Sequence, residues 1–561
     1  MSDLNVDLKK KLLDLYNNKR FSEIEFELEL LGDLEKQSSS IMMTYAVAKT
    51  LNLKSKKKDY EKAAYYFEKV YILNKNNLDA LYNLIIVSTK SRAYHYVMPH
   101  LIERHKIEKK DQKVIWGLSK INFMLGNISE SFYYLSKLIK INPNYPDAFM
   151  EYLRISNYIS STSQEEYFKQ TQEFDRLLYT EIKPLIKINK NKNKNKNKKI
   201  KLAFLSPDFK THSVSFFLRD FLSKINKNDF EILAFSNLEI NYHDEMTNEL
   251  KLLFDEWHDI KKMSDTELVN LARSQNTDIL IDLAGFTFGN RIQALRTRCS
   301  PIQISWLGYC NTLGIKNMDY IIADLNLIKE KEQGLYSEKI LYLPKIWSVM
   351  SKQKNFPDIN NLPAKQNSIF TFCSFNNFAK LSDETIKLWS KILNNTNSCL
   401  ILKTGSKTSD LAFKNILKKF NKHDVPENKI SILNKNLSRK EHLREYNNID
   451  VALDPFPYPG VTTTFEAITM GVPVLTMRGS NFNSRCGESI NLNLGMNEFI
   501  ARDEKDYFDK AVELQKNLKK LELLRRSLRE KALNSPLFDV NNFTIEFTSI
   551  LKRVWNNHIN N

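Results

Sequence analysis

The 561-residue sequence has no long apolar segment. No run of about 18 apolar residues occurs in it, so a transmembrane helix is not expected. Residues 1–18 mix acids and lysines with apolar residues at helical spacing. This pattern predicts an amphipathic helix rather than a secretion signal.

Cysteine and paired metal ligands are also scarce. The five cysteines are odd in number and form no Cys-x-x-Cys pair, which favours a reducing, cytoplasmic setting with each thiol buried as a small apolar group. The nine histidines show no ligand spacing with cysteines or carboxylates, so no metal site is expected. No Ser/His/Asp order indicates nucleophilic catalysis.

The positive charge is concentrated in one place. Eight lysines and no acids fall within residues 187–201, and without them the formal charge of +17 drops to +9. Alternating Asn and Lys residues bury nothing and repel one another, which is typical of an extended linker. We therefore expect a linker over residues 187–199 and no nucleic-acid partner.

An internal repeat occupies the N-terminal part of the chain. Stepping by 34 residues places Ala46, Ala80, Val114 and Ala148 at one position. Small residues recur where paired helices approach closely in a stacked array. The pattern resembles tetratricopeptide repeats over roughly residues 20–155, although the signature Trp and Gly-Tyr positions are poorly kept. Ordinary helical hairpins without a true repeat are the alternative.

After residue 199, short apolar runs alternate with longer amphipathic stretches, which predicts parallel sheets covered by helices on both faces. The runs of the first series are residues 202–206, 231–236, 278–284, 302–306 and 320–323. The runs of the second series are residues 369–375, 399–403, 430–433, 450–453 and 472–477. Two series divided by a proline-containing stretch at 343–363 indicate two doubly wound domains in tandem, with ligands at the carboxyl ends of their strands.

The stretch 450–476 carries the clearest chemistry. A strand ends near Asp454, and Gly460 then allows a tight turn before Thr462, Thr463 and Thr464. Free N–H groups at the following helix start, with the threonine hydroxyls, suit a phosphate group. Glu466, one turn into the helix, is placed to accept hydrogen bonds from a ribose. A Thr-Thr-Thr-x-Glu sequence is also compatible with a simple capping box.

Residues 460–476 (GVTTTFEAITMGVPVLT) resemble the nucleotide-binding segment of SPINDLY-like, O-linked N-acetylglucosamine transferases. Further motifs of that family occur in the same order, and the resemblance covers about residues 201–514. They are LSPDFKTH at 205–212, AGFTFGNR at 284–291, PIQISWLGY at 301–309, MDYIIAD at 318–324 and CSFNNFAK at 373–380. A tetratricopeptide arm precedes the catalytic region in this family too.

The resemblance implies a two-Rossmann (GT-B) fold that uses a uridine diphosphate (UDP) sugar as donor substrate, with no metal and no other cofactor. The expected domains are a repeat arm at 1–186, the linker at 187–199, and Rossmann-like domains at 200–360 and 361–561. A soluble inverting glycosyltransferase follows, moving a sugar, most simply N-acetylglucosamine, to Ser or Thr of a protein that the arm guides. The oligomeric state is not predicted.

The resemblance also assigns individual roles. Lys380 aligns with the lysine that stabilises the leaving group, although a lysine before a helix start is often simply exposed. His212 aligns with a histidine beside the sugar and acceptor, acting as general base or orienting the diphosphate. His442 aligns with a histidine near the uracil, or is a surface residue. Asn376 and Asn377 align with amides near the nucleotide sugar.

Some positions depart from the family pattern. Val461 occupies a position that is histidine in the animal enzymes, and the Thr464 hydroxyl next to it is a compensating group. Phe286 and Arg439 stand where other members often carry different polar residues. These changes leave the donor sugar open between N-acetylglucosamine, glucose and another sugar, and Val461 supports a catalytically inactive repeat scaffold. Two further alternatives are an asparagine-linked glucosyltransferase of the same broad family and a GT-B enzyme that acts on small molecules.

Overall fold

The computed structural model describes residues 6–52, 54–178, 198–352, 356–403, 409–434 and 437–560. The predicted linker at 187–199 lies outside the described residues except for its last two positions. The chain divides into two compact units, each described by itself below. We call residues 1–143 with 405–418 the repeat unit, and residues 144–404 with 419–561 the sheet unit.

The repeat unit consists of helices packed in antiparallel pairs. Its described helices are α1 Val6–Asn17, α2 Phe21–Glu29, α3 Ser39–Leu51, α4 Lys57–Leu73, α5 Leu78–Ser91, α6 Tyr94–Ile107, α7 Gln112–Met124 and α8 Ile128–Ile141. The predicted small positions Ala46, Ala80 and Val114 are fully buried on α3, α5 and α7. The first helix of each pair therefore stacks closely on its neighbours, and the helical repeat is confirmed.

A segment distant in sequence completes the repeat unit. Residues 409–418 contribute Ala412, fully buried in the helical core. The Asn415 amide donates to the Leu125 carbonyl oxygen at 2.8 Å and to Asn127 Oδ1 at 2.7 Å. These bonds satisfy polar groups in the turn between α7 and α8.

The next helical pair, α9 Pro146–Ser156 and α10 Gln164–Leu177, belongs to the sheet unit. Tyr309 receives a hydrogen bond from the Asn157 amide at 2.8 Å, and its hydroxyl lies 2.6 Å from the Tyr167 hydroxyl. The 34-residue periodicity continues through Ala148 and predicts that this pair belongs to the repeat arm, which is wrong. Buried polar contacts of this kind, which periodicity does not reveal, join the pair to the sheets instead.

The first half of the sheet unit is a seven-stranded parallel sheet in the order β3-β2-β1-β4-β5-β6-β7. Its strands are β1 Ile200–Ser206, β2 Phe230–Ser236, β3 Glu256–Asp259, β4 Ile279–Asp282, β5 Ile302–Ser305, β6 Tyr320–Asp324 and β7 Lys339–Leu343. Its helices are α11 Ser213–Lys224, α12 Glu245–Lys251, α13 Asp265–Ser274 and α14 Ile292–Thr297. The order reverses between β1 and β4.

The second half is a six-stranded parallel sheet in the order β10-β9-β8-β11-β12-β13, which reverses between β8 and β11. Its strands are β8 Phe370–Ser374, β9 Ser398–Lys403, β10 Ile430–Leu433, β11 Val451–Leu453, β12 Val474–Met477 and β13 Ile500–Ala501. The helices along this part of the chain are α15 Ala364–Asn367, α16 Asp383–Asn394, α17 Asp410–Asn421, α18 Arg439–Arg444, α19 Thr462–Thr469, α20 Cys486–Asn493, α21 Glu504–Lys516, α22 Leu518–Leu533 and α23 Val540–Asn560.

The predicted pair of doubly wound sheets is therefore confirmed. Each of the ten predicted strands is present, with ends that move by at most two residues. Three strands escaped prediction. β3 is a half-exposed edge strand with polar residues, and β13 spans only two residues. β7 is preceded by a 3-10 helix rather than by an amphipathic α-helix, so the alternation of strand and helix does not mark it.

Helix α23 returns from the second half to the first sheet. Phe543, Phe547, Leu551 and Val554 on one face of α23 are buried in the same core as β1 and α11. The ring centroids of Phe547 and Trp306 lie 4.7 Å apart. The predicted domain at 361–561 therefore ends before α23, because the apolar face of α23 packs in the core of the first sheet.

Buried polar contacts fasten the two halves of the sheet unit. The Arg485 guanidinium, before α20, donates two hydrogen bonds to Glu332 at 2.6 and 2.9 Å. The Ser489 hydroxyl donates to Asp324 at the end of β6, at 2.9 Å. Burial raises the pKa of Asp324 to about 6, opposed by the hydrogen bonds that its carboxylate accepts. The start of α20 is therefore attached to the first half.

Membrane-spanning helices and clustered metal ligands are both missing from the described residues. None of their helices is long and apolar enough to cross a membrane. They contain no group of three or more His, Cys, Asp or Glu side chains arranged to hold a metal ion. The cysteines correct one expectation: Cys299, Cys373 and Cys486 are buried, whereas Cys310 and Cys399 are only half-buried.

The α23 contact gives a stability prediction. Phe547→Ala should lower the free energy of unfolding of the sheet unit by about 3 to 5 kcal/mol, because it leaves a cavity among aromatic rings. Urea unfolding followed by tryptophan fluorescence measures the change. Ile545→Ala on the same helix is the control, since Ile545 is 65% exposed and its loss should cost less than about 0.5 kcal/mol. Equal losses in both variants would contradict the assigned packing.

Candidate active site

The candidate site lies at the carboxyl ends of β8 and β11, the strands between which the second sheet reverses its order. Parallel α/β sheets bind ligands at such points because the loops diverge there. β8 leads to Asn376 and Asn377, and β11 leads through Asp454 to Gly460. The two loops meet where the Thr463 hydroxyl donates to Asn376 Oδ1 at 3.1 Å.

Lys380 ends a short 3-10 turn that Asn377 caps, with Asn377 Oδ1 accepting from the Ala379 N–H at 3.0 Å. The Lys380 ammonium donates to the Pro459 carbonyl oxygen at 2.7 Å and lies 4.3 Å from the centroid of the Tyr458 ring. Burial lowers the pKa of Lys380 to about 8. Lys380 is therefore an engaged group of the site and not a free surface lysine.

Asp454 is the buried carboxylate that most strongly opposes the pKa shift of Lys380. It accepts from the Gly460 N–H at 2.6 Å and from the Thr476 hydroxyl at 2.9 Å. Burial raises the pKa of Asp454 to about 7, although these bonds and Lys380 oppose the rise. A Cβ atom on Gly460 would clash with Thr463 Oγ1, so glycine is required here for space.

Helix α19 begins with an open end. Its N-cap residue is Val461, and no side chain caps the helix. The capping-box interpretation of this stretch is therefore wrong. The Thr464 N–H donates to the Val461 carbonyl oxygen at 3.0 Å, whereas the N–H groups of Thr462 and Thr463 have no side-chain acceptor among the described residues. The Thr464 hydroxyl is buried and has no hydrogen-bond partner among the described residues. Gly471 closes the helix with a φ of +74°, as predicted.

Glu466 does not stand alone. Its carboxylate, 4% exposed, accepts a hydrogen bond from the Arg439 guanidinium and lies 2.8 Å from His442 Nε2. Burial alone would raise the pKa of Glu466, but Arg439 and His442 lower it to about 2. The side chain of His442 is 13% exposed, so it is not the surface residue of the alternative interpretation.

Helix α11 of the first half packs beside this cluster. The Arg439 guanidinium lies 4.6 Å from the centroid of the Phe216 ring. At the next residue, Phe217 packs edge-on against Phe465 of α19 with centroids 5.2 Å apart. Both halves of the sheet unit therefore border the region around Glu466.

His212 is the N-cap residue of α11, one turn before Phe216. Its Nδ1 accepts weakly from the Val214 N–H at 3.4 Å and lies 3.7 Å from Asp208 Oδ2. The His212 side chain is 42% exposed. Partial burial lowers the pKa of His212, and the Asp208 carboxylate opposes this change. A half-exposed, predominantly neutral imidazole is available at this edge.

The structure groups the predicted residues in three places. The first group lies in the segments after β8 and β11, which include a 3-10 turn and the first turn of α19; its members are Asn376, Asn377, Lys380, Gly460 and Thr462–Thr464. Glu466 of α19 and His442 of α18 form the second group. His212, before α11 in the first half of the sheet unit, is the third. Sequence reasoning did not assign Asp208, Arg439, Asp454 or Tyr458 to the site. Asp454 carried a signal as a strand end before a proline-rich loop, Asp208 lies within the motif at 205–212, and Arg439 had been noted only as a departure from the family pattern.

The Glu466 cluster predicts a pH-dependent stability. A carboxylate whose folded pKa is about 2, against an ordinary 4.5, stabilises the fold above pH 4.5 and loses that contribution as the pH falls towards 2. Glu466→Gln should therefore cost about 3 kcal/mol near pH 7 and much less near pH 2.5. Urea midpoints at both pH values test this.

Glu498→Gln is the matched control, because Glu498 is exposed and should show little loss at either pH. A Glu466→Gln loss that is the same at both pH values would show that the charge of Glu466 does not matter.

Sequence comparisons identify the family that the chain resembles. The family model for Glycosyl transferase family 41 matches residues 174–367 and 361–547. A tomato (Solanum lycopersicum) protein named "Probable UDP-N-acetylglucosamine--peptide N-acetylglucosaminyltransferase SPINDLY" is 28% identical over 424 residues, which are 74% of this chain and 45% of that protein. A similarly named SEC protein of Arabidopsis thaliana is 27% identical over 64% of this chain and 37% of its own length. The chain spans less than half the length of these relatives.

A solved structure shares the fold. A point mutant of the O-GlcNAc transferase of Thermobaculum terrenum superposes with a TM-score of 0.82 at 23% identity, covering 94% of this chain and 99% of that one. The sheet unit thus has the two-Rossmann GT-B architecture, with helical repeats preceding it. Because the family model covers well over half of the sequence, the chain belongs to glycosyl transferase family 41.

Proposed function

We propose that the protein transfers N-acetylglucosamine from a UDP-sugar to Ser or Thr residues of an acceptor protein. The observation that carries the proposal is the open start of α19 beside Lys380, at the reversal point of the second sheet. The names of the curated relatives support the donor and the acceptor class.

The diphosphate of the donor would occupy the start of α19. Uncapped N–H groups and the hydroxyls of Thr462, Thr463 and Thr464 provide hydrogen-bond donors, and the helix dipole favours an anion. The unpartnered, buried Thr464 hydroxyl supports this assignment, since a buried hydroxyl without a partner is costly. The Asn376 and Asn377 side chains border the same loop.

Lys380 supplies the charge that the reaction needs. When the bond between the sugar and the diphosphate breaks, negative charge develops on the leaving group. A fixed cation at that point stabilises the transition state more than the ground state. With a pKa of about 8, Lys380 is mostly an ammonium at pH 7. Its bond to the Pro459 carbonyl keeps it near the start of α19 before the donor binds.

The ribose would bind at Glu466. A carboxylate has room for about four hydrogen bonds, and Arg439 and His442 use part of this capacity. Because Glu466 is 4% exposed, ribose hydroxyls would use the remaining capacity once the side chains that cover the carboxylate shift. The His442 ring, with centroids 5.8 Å from Phe375 and from Tyr446, offers an aromatic surface for the base.

His212 would take the proton of the acceptor hydroxyl. In the transfer, that oxygen attacks the anomeric carbon, the bond to the diphosphate breaks, and the proton passes to the imidazole. For this role the proton must lie on Nδ1, 3.7 Å from Asp208, so the weak 3.4 Å hydrogen bond from the Val214 N–H would be given up and the Nε2 lone pair left free. The alternative role, orienting the diphosphate, is separated from this one by the second experiment below.

The repeat unit would guide the acceptor protein. The cysteines of the described residues are free thiols, which fits a reducing compartment, and we propose the cytoplasm.

The first experiment measures donor turnover. Purified protein is incubated with UDP-N-acetylglucosamine, UDP-glucose and guanosine diphosphate sugars, and release of free nucleoside diphosphate is followed. We expect slow hydrolysis of UDP-N-acetylglucosamine, and a fall of about 100- to 1,000-fold in Lys380→Ala. Lys387→Ala, an exposed lysine of α16, should be unchanged. Preference for UDP-glucose would support the glucosyltransferase alternative, and no release of nucleoside diphosphate from any donor would support the scaffold.

The second experiment separates the two roles of His212. A base contributes about 100-fold or more to transfer but little to donor binding. We expect His212→Ala to lose transfer to an acceptor peptide by about that factor, with donor binding by calorimetry unchanged. Weaker donor binding in proportion to lost transfer would assign the orienting role. His558→Ala, on the exposed side of α23, is the control.

A third expectation concerns metal removal. In this proposal Lys380 and the α19 start offset the leaving-group charge, so donor turnover should persist within about twofold after dialysis against EDTA. Loss of turnover that added Mg²⁺ or Mn²⁺ restores would contradict this part of the proposal.

A further inference from the structure

The Tyr458 ring contacts two groups from distant parts of the chain. The Lys380 ammonium lies 4.3 Å from its centroid, and the Tyr158 ring stacks on it with centroids 4.6 Å apart and an interplanar angle of 26°. Tyr458 is therefore in contact both with the cation and with a ring that lies 300 positions earlier in the sequence.

Tyr158 is itself held in place. It follows Asn157, the residue that ends α9. The Asn157 side chain donates to Tyr309 at 2.8 Å and accepts from the Asn311 amide at 2.9 Å, both in the first half of the sheet unit. Its backbone carbonyl accepts from the Asn483 amide of the second half at 3.3 Å. Hydrogen bonds from Asn157 to both halves thus fix the backbone beside Tyr158 and so the position of its ring relative to Tyr458.

This segment lies outside the part of the chain that the family model matches, which begins at residue 174. No sequence motif pointed to it. Nevertheless it lies one ring away from Lys380, the cation assigned to the leaving group.

We propose that Tyr158 is a positioning residue of the transfer reaction: by stacking on Tyr458 it holds that ring against Lys380 and fixes the ammonium at the start of α19. This inference rests on the proposed function. Tyr158 would act through Tyr458 and would not touch the substrate. A cation over an aromatic face is attracted by the ring, and the attraction is larger where water is excluded. A displaced Tyr458 would lose that contact and let water reach Lys380.

Two substitutions separate stacking from the hydroxyl of Tyr158. Tyr158→Phe keeps the ring and should behave as the wild type does. Tyr158→Leu removes the ring but remains apolar. Tyr133→Leu, the same change at a tyrosine that is 60% exposed in the repeat unit, is the control.

The first readout needs no enzymatic activity. The rate at which Lys380 reacts with an amine-acylating reagent is measured against pH by mass spectrometry, which gives its titration midpoint. Burial is the main cause that lowers the pKa of Lys380 to about 8 from an ordinary 10.5. In Tyr158→Leu the midpoint should therefore rise by about one pH unit, as water reaches the amine. Tyr158→Phe and Tyr133→Leu should leave it unchanged.

The second readout is donor turnover against pH. If the ammonium form is required, kcat/KM falls as the pH rises through the pKa of Lys380, and this limb should move upward with the labelling midpoint in Tyr158→Leu. Its kcat should fall by about 10- to 100-fold, as expected for a misplaced catalytic group. Binding of UDP should change less, by about threefold at most.

The outcomes are distinct. Equal damage by Tyr158→Phe and Tyr158→Leu, or reduced activity in Tyr158→Leu with no shift in either pH profile, would show that Tyr158 only maintains the fold and would overturn the inference. An unaltered Tyr158→Leu would also overturn it. If the wild type turns over no nucleotide sugar, the proposed function fails, and the labelling experiment still decides whether Tyr158 positions Lys380.

Discussion

The carbonyl of Pro459 and the ring of Tyr458 hold the Lys380 ammonium away from bulk water, and the rest of the candidate site is arranged around that contact. Removing an ammonium from water is unfavourable, which is why the pKa of Lys380 falls. The loop between β11 and α19 offsets part of this cost with a carbonyl oxygen, an aromatic face and the nearby Asp454 carboxylate. The same loop leaves the start of α19 uncapped. A single backbone segment therefore places a cation beside a set of free N–H donors.

The geometry of that loop depends on contacts that cross the sheet unit. Asp454 and Gly460 fix it to the second sheet, while Tyr158 touches it from the helical pair α9 and α10. The Arg485–Glu332 pair joins the second half to the first. A wide relative movement of the two halves would have to break buried, charge-assisted hydrogen bonds, which are among the stronger polar contacts in proteins.

Much of the fold could be predicted from the sequence, because buried parallel strands need continuous apolar residues and these occur at ten places. The helical repeat was equally visible, through small residues at a fixed period. The sequence could not show which side chains that are far apart along the chain come into contact in the fold. Glu466 was singled out, but its partners Arg439 and His442 lie on another helix. Tyr158 and Tyr458 are 300 positions apart, and neither belongs to a pattern that requires the other. The apolar stripe of an amphipathic helix such as α23 predicts that one face is buried, but it does not predict that this face packs on the first sheet.

The return of α23 to the first sheet also affects the order in which the protein can fold. A ribosome makes every strand of both sheets before it makes residues 540–560, so the apolar face that α23 covers remains bare throughout that time. The first half has all of its own strands early, yet it cannot complete its core on its own. During synthesis the nascent chain thus presents the aromatic surface of Trp306 and of Phe221 on α11, which Phe547 later covers. Chaperones recognise exposed apolar surface of this kind, and the core of the first half is completed only after the second half has been made.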